Sequence, residues 1–211
     1  REHGVVFHTD AVQSAGKLPR RLAELGAALV TFSGHKLYGP KGVAALYVRE
    51  GTPLASATTG GAQEHGLRAG TENVAGIVGF AEAFALALEA ADSEGRRLRS
   101  LRDRLELKVS AAIPAVRING ARALRVPNTS CLSFPGVDGE SVVLGLDVHG
   151  ICVSTGSACT TGDPEPSHVL LAMGLFFLLR PTALDKLVTV MREFFPVRWL
   201  NEPRGILLYL G

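Results

Sequence analysis

Short apolar runs, each too brief to make a helix, alternate with helical stretches along the first fifty residues, and the best of them ends in a lysine. Val5, Val6 and Phe7 read as a short buried strand, residues 18–25 as a short helix closed by Gly26, residues 28–32 as a second strand and residues 42–48 as a third. Strands alternating with helices predict an α/β fold with a mostly parallel sheet covered on both faces. Ligands of such sheets collect at the carboxyl ends of the strands, where Asp10 and Lys36 fall.

Beyond a Gly-rich stretch at residues 59–70, Thr71-Glu72-Asn73 opens a helix carrying Ile77, Phe80, Ala81, Phe84 and Leu88 at helical spacing. Residues 92–95 read as an interruption. A second helical run follows with Leu98, Leu101, Leu105 and Val109, and its charges (residues 96–108) read as a solvated face. Residues 117–119 and 130–134 read as strands. Asp138 is placed to cap a helix carrying Val142, Val143 and Leu146, which Gly150 ends. A strand at 151–154, a polar loop at 155–163 and helices at 167–173 and 182–194 complete the pattern. The expected division is a large domain at residues 1–88 and a smaller α+β domain at 89–211.

Composition narrows the function classes. Apolar residues make up 46% of the chain, enough for a real core, and the net charge of +2 gives no reason to expect nucleic acid or an acidic membrane surface. Uninterrupted apolar stretches such as residues 175–179 fall far short of the roughly 20 residues that span a bilayer. No basic-plus-apolar leader opens the chain. The 3 cysteines lack zinc spacing and suit free thiols in a reducing cytoplasm. The chain starts Arg1-Glu2-His3-Gly4 and enters an apolar run at once, which reads as the middle of an α/β domain and hence as a fragment.

Four constellations carry chemistry. In His8-Thr9-Asp10-Ala11-Val12-Gln13, a carboxylate follows a strand and an amide stands three residues on. Alone, such an Asp is a helix cap; paired with Lys36 on a neighbouring strand it suits a cofactor with a ring nitrogen to hold. In Ser33-Gly34-His35-Lys36, a strand end positions an amine suited to Schiff-base chemistry, flanked by a hydroxyl and an imidazole that can bond a phosphate. The run Gly60-Gly61-Ala62-Gln63-Glu64-His65-Gly66-Leu67-Arg68-Ala69-Gly70-Thr71-Glu72-Asn73 brings glycines and a helix N-terminus, which favours an anion near Thr71. The loop Ser154-Thr155-Gly156-Ser157-Ala158-Cys159 surrounds one thiol with small residues, a setting for a nucleophile that must travel. Cys131 and Cys152, inside apolar runs, read as inert core thiols.

With these motifs in this order, residues 4–174 resemble the cysteine desulfurases of the class-V aminotransferase family. The loop with Cys159, followed by Glu165-Pro166-Ser167-His168, is similar to their long-loop, iron–sulfur-assembly branch. The resemblance implies a pyridoxal 5'-phosphate (PLP)-dependent transferase of fold type I. Lys36 would be the Schiff-base lysine and would take the substrate α-proton. Asp10 would face the ring nitrogen, Gln13 the ring hydroxyl, and Ser33 and His35 the phosphate. Thr71 would reach the phosphate of a partner subunit across a homodimer. Cys159 would take sulfur from L-cysteine as a persulfide, with a transient iron–sulfur contact there, and pass it to a scaffold or sulfur-carrier protein.

Members of that family are about twice as long. Their extra N-terminal part brings a ring-stacking His, and they carry an arginine strand where this chain runs from Met173-Gly174 straight to Arg180-Pro181-Thr182. Arg180 is a poor replacement, and residues 196–211 match nothing in the family. The rival readings are another class-V aminotransferase or lyase, and an inactive remnant.

Overall fold

β2 (Leu29–Ser33) organises the first half of the chain because its residues alternate: Val30 and Phe32 are buried, while Leu29, Thr31 and Ser33 look the other way. The computed structural model describes residues 4–19, 22–121, 123–156, 167–174, 189–190 and 207–210. It divides into two compact units, Arg1–Gly95 and Arg96–Gly211.

In the first unit β1 (His8–Asp10) pairs parallel with β2, Asp10 opposite Thr31, and β3 (Ala44–Val48) pairs antiparallel with it, Ser33 opposite Ala44. The described part of this sheet thus holds one parallel and one antiparallel pair. The connection from β2 to β3, residues 34–43, holds a single 3-10 turn and a Gly-Pro bend. That is too short for the dozen or more residues a parallel crossover needs, so the chain turns straight back. Val5, Val6 and Phe7 are exposed and lie outside the strand, contrary to expectation. The ladder starts one residue later, and Phe7 contributes only its carbonyl, which accepts from Ala28 N–H (2.8 Å) and Leu29 N–H (3.3 Å). The helix expected at 18–25 shrinks to a 3-10 turn at Leu22–Leu25, because Pro19 has no N–H to give and crowds the preceding turn.

α1 (Val74–Ala112) is one helix of 39 residues with no break at 92–95. Ser93 Oγ donates to Ala90 O (3.1 Å), so its hydroxyl is satisfied inside the helix, and Ala91 beside it is buried. By length and composition alone the helix could cross a membrane, with a mean hydropathy of 1.7 over its most apolar window. Phe84 meets Phe32 edge to face (5.4 Å between centroids) and Phe80 (5.8 Å), packing one side of α1 on the buried face of the sheet. Gly79, Ala83 and Ala87 form a stripe of small residues four apart on the same helix. The loop after β2 lies directly on it: a Cβ on Gly79 would come within 2.7 Å of Pro40 Cγ, and one on Gly39 within 3.0 Å of Ala83 Cβ.

The second unit has a four-stranded sheet in the order β4-β5-β7-β6, built from β4 (Arg117–Asn119), β5 (Thr129–Ser133), β6 (Ser154–Thr155) and β7 (Leu207–Leu210). β4 is antiparallel to β5; β7 is parallel to both β5 and β6. The tail that matched no family pattern thus supplies a central strand. α2 (Gly139–Asp147) starts as expected at Asp138, whose Oδ2 accepts from Ser141 N–H (2.8 Å) and Ser141 Oγ (3.0 Å). α3 (His168–Ala172) is short, and the helix expected at 182–194 lies, apart from residues 189–190, outside the described residues. Leu105, Val109, Ile113, Leu132, Val142 and Leu146 are central to the core. The charges at 96–108 are not all solvated: Arg102 and Glu106 are buried. Cys152 is exposed and lies outside any strand, because β6 begins only at Ser154 and the neighbouring Ile151 takes the buried position.

Candidate active site

Two parallel strands, β1 and β2, end at the same edge of the first sheet, and each carries a polar side chain out of it. Asp10 is the last residue of β1 and Ser33 the last of β2. The ladder continues one step past β1, where Ala11 N–H donates to Thr31 O (3.0 Å). The chain then turns: Val12 N–H donates to Asp10 Oδ1 (2.8 Å), and Ala15 N–H to Ala11 O (2.8 Å). Side-chain capping of this kind is a common use of Asp after a strand. It also fixes the carboxylate at the strand end. Gln13 stands exposed on the turn, its Oε1 accepting from Lys17 Nζ (3.2 Å).

The turn after β2 is held more tightly. Gly34 N–H donates to Val43 O (3.0 Å), and a Cβ on Gly34 would meet Val43 Cγ1, Pro40 O and Phe80 Cδ2 at 3.0–3.2 Å, so any larger residue would have to push these neighbours back. The 3-10 turn Gly34–Leu37 follows, with Leu37 buried. Tyr38 closes it in the left-handed region (φ 63°), its N–H donating to Gly34 O, as does Gly39 N–H (3.0 Å). A tyrosine held there stores about 1–2 kcal/mol of backbone strain. Lys36 is thus carried by backbone anchored on both sides, with its own side chain half-buried. Ser33 Oγ and His35 Nδ1 are hydrogen-bonded to each other (2.8 Å).

Burial, and after it the charge of Lys36 nearby, push the Lys17 ammonium pKa down from its ordinary value. This interaction links the two turns: Gln13 bonds Lys17, and Lys17 feels Lys36. Lys17 was missed by sequence reasoning, although its place four residues after Gln13 and next to Gly16 was a usable signal. Gly16 has φ 65°, and a Cβ there would lie 2.7 Å from Ala87 Cβ and 2.9 Å from Leu37 Cδ2. That seats the Lys17 turn against the residue next to Lys36.

Thr71 sits apart on the loop before α1 and makes no hydrogen bond to the other five among the described residues. That loop is folded on itself: Ala69 N–H donates to Thr58 Oγ1 (3.2 Å), Gly70 N–H to Gln63 Oε1 (3.1 Å), and Arg68 Nη1 to Gly70 O (2.7 Å). Asn73 Oδ1 accepts from Gly76 N–H (3.0 Å) at the start of α1. Cys159 lies outside the described residues. Cys131, in β5, has its pKa raised by burial, against which the Asn119 hydrogen bond and the Arg125 charge work. No group of three or more His, Cys, Asp and Glu that could hold a metal ion occurs among the described residues.

The arrangement presents an amine on a rigid turn with a carboxylate, an amide and a hydroxyl–imidazole pair on the same sheet edge. It can hold a ligand that has both an electrophilic carbonyl and an anionic group. Residues 1–185 match the protein family described as aminotransferase class-V. A cysteine desulfurase of Nostoc sp. is 45% identical over 206 residues, which is 92% of this chain and 52% of that protein. The cysteine desulfurase IscS of Dictyoglomus turgidum is 50% identical over 175 residues, 83% of this chain and 44% of that one. The chain therefore spans about half the length of the curated relatives it matches. Among solved structures, a NifS-like protein from Rickettsia africae superposes with a TM-score of 0.76 at 32% identity, over 92% of this chain and 54% of that one.

Proposed function

This chain belongs to the class-V aminotransferase family, and from that premise we propose that it carries the lysine half and the thiol half of a PLP-dependent cysteine desulfurase. The observation that carries the reading is the Lys36 turn, seated on α1 and sharing one sheet edge with Asp10. The donor set fits the cofactor. Lys36 would bind it through Nζ, Asp10 would stand at the ring nitrogen, Gln13 at the ring hydroxyl, and Ser33 and His35 at the phosphate, with Thr71 serving the phosphate of a second copy in a homodimer. PLP when bound supplies an electron sink next to the substrate α-carbon.

Lys36 Nζ would take and return the α-proton. The Cys159 thiolate would attack the sulfur of L-cysteine. The new S–S bond forms as the Cβ–S bond breaks, and Cβ takes a proton, so that L-cysteine and one thiol become L-alanine and one persulfide with no outside oxidant or reductant. The persulfide would pass to an iron–sulfur scaffold or a sulfur carrier in the cytoplasm, with a transient iron–sulfur contact at Cys159. Residues 1–88 would be the cofactor-binding domain and 89–211 the domain of the thiol loop. The 45–50% identity to cysteine desulfurases supports this reading over other class-V chemistry.

The test adds PLP to the full chain. A visible absorption band that disappears in Lys36→Ala is expected, and alanine formation from L-cysteine that disappears in Cys159→Ala while the band stays. No band at saturating PLP overturns cofactor binding. Amino-group transfer that survives Cys159→Ser points to an aminotransferase instead.

A further inference from the structure

We propose that Lys17 is a positioning residue of this site: it holds Gln13 by the amide oxygen, so that the amide N–H donors are the end turned to the ligand. The inference rests on the cofactor reading above and deepens it. A glutamine amide has an acceptor end and a donor end, and which end faces a ligand is decided by what holds the other. Lys17 Nζ lies 3.2 Å from Gln13 Oε1, and an ammonium only donates. The oxygen end is therefore turned to Lys17, and Nε2 is the end left to meet the ligand. A ligand oxygen carrying negative charge, such as a ring phenolate, is recognised by that end; an N–H donor on the ligand is refused.

Lys17 is held in place for this task. Gly16 before it has a left-handed backbone and no room for a side chain between Leu37 and Ala87, so the turn cannot drift without disturbing the residue next to Lys36. Lys17 is half-buried, and its ammonium is close enough to Lys36 to feel that charge. Lys17 thus touches Gln13 on its own turn and feels the charge of Lys36 on the other.

The test compares wild type with Lys17→Arg, Lys17→Met and Lys17→Glu in the full chain, titrated with PLP and followed by absorbance. Lys17→Met should weaken PLP binding by about tenfold, and Lys17→Arg, whose guanidinium also only donates, should restore most of it. Lys17→Glu should do worst, because a carboxylate captures Gln13 Nε2 and turns the oxygen to the ligand. In a Gln13→Leu background Lys17→Met should cost little more, since the group it orients is gone. Equal binding by wild type and Lys17→Met, or an undiminished loss in the Gln13→Leu background, overturns the proposal. The Gln13 side-chain NH2 signals, read by NMR without any ligand, separate the two levels. They should shift in Lys17→Met and return in Lys17→Arg. Signals unmoved by Lys17→Met overturn the positioning role even if PLP binds, whereas shifted signals with no PLP uptake by wild type sink the cofactor reading and leave the contact standing.

Discussion

The two units each gather polar side chains, and they treat them in opposite ways. In the first, Asp10, Gln13, His35 and Lys17 lie exposed or half-buried at a strand edge, with only a few local hydrogen bonds among them. In the second, Glu106 is buried and satisfied. Arg125 grips it with two parallel N–H bonds (2.8 and 3.0 Å), and Ser130 Oγ adds a third (2.6 Å). Arg102 gives Nη1 to Val126 O (3.0 Å) and the rest of its fork to Asp103. Asn119 bonds Ser133 Oγ (2.6 Å). One buried acceptor, Asn128 Oδ1, has no partner among the described residues. A buried polar group without partners is costly, so the second cluster must close on itself to fold. The first pays no such penalty at the surface and keeps capacity for a ligand.

The largest way to break this contrast is to open the closed cluster. Glu106→Ala leaves Arg125 facing a cavity and should cost about 3–5 kcal/mol in urea unfolding. The double change Glu106→Leu with Arg125→Leu should cost clearly less than Glu106→Leu alone; if the two costs simply add, the pair is not acting as a unit. Next in size is Gly16→Ala, which forces a side chain into the left-handed region and against Ala87 and Leu37. About 2–4 kcal/mol is expected, from strain plus overpacking, together with weaker PLP binding as the Lys17 turn shifts. A stable Gly16→Ala with unchanged binding would show that this turn is looser than its packing implies.

The smallest effect sharpens the comparison at an exposed cap. Asp138→Ala should cost about 1 kcal/mol through the lost α2 cap. The Ser141 N–H, and then its hydroxyl, hold the Asp138 carboxyl below its ordinary pKa. A depressed folded pKa stabilises above the unfolded value of about 3.9 and is lost as pH falls through the folded value. The gap between wild type and Asp138→Ala should therefore be full at neutral pH and close on acidification below about pH 4; a gap that persists at pH 2 would mean the cap is not electrostatic.

How legible the molecule was differs by feature. β2, the Lys36 turn, the Asp138 cap and the stop at Gly150 follow from local rules, since each depends on residues within a few positions. Three readings failed, one inside a helix, one at a strand start and one where a distant partner decided. The 92–95 break vanished because Ser93 bonds back within the helix and Ala91 is buried. Residues 5–7 lay outside the ladder because its register starts at His8. Glu106 went inward because Arg125 and Ser130, far along the chain, were there to receive it. Lys17 was overlooked because its meaning depends on Gln13 and Lys36 together.

By itself the sequence determined where chemistry is carried: an amine after a strand, a carboxylate after its neighbour, a capping Asp, a Gly-rich approach to a helix. Those are properties of short segments, set by backbone geometry and side-chain type. Tertiary structure alone decided which charges are buried, that residues 207–210 form a central strand, and that the turn at Gly16 seats against Leu37 and Ala87. Each of those depends on a partner brought in from elsewhere in the chain, and the cost of leaving a buried polar group or a strand edge unpaired, or a close contact unpacked, is what selects it.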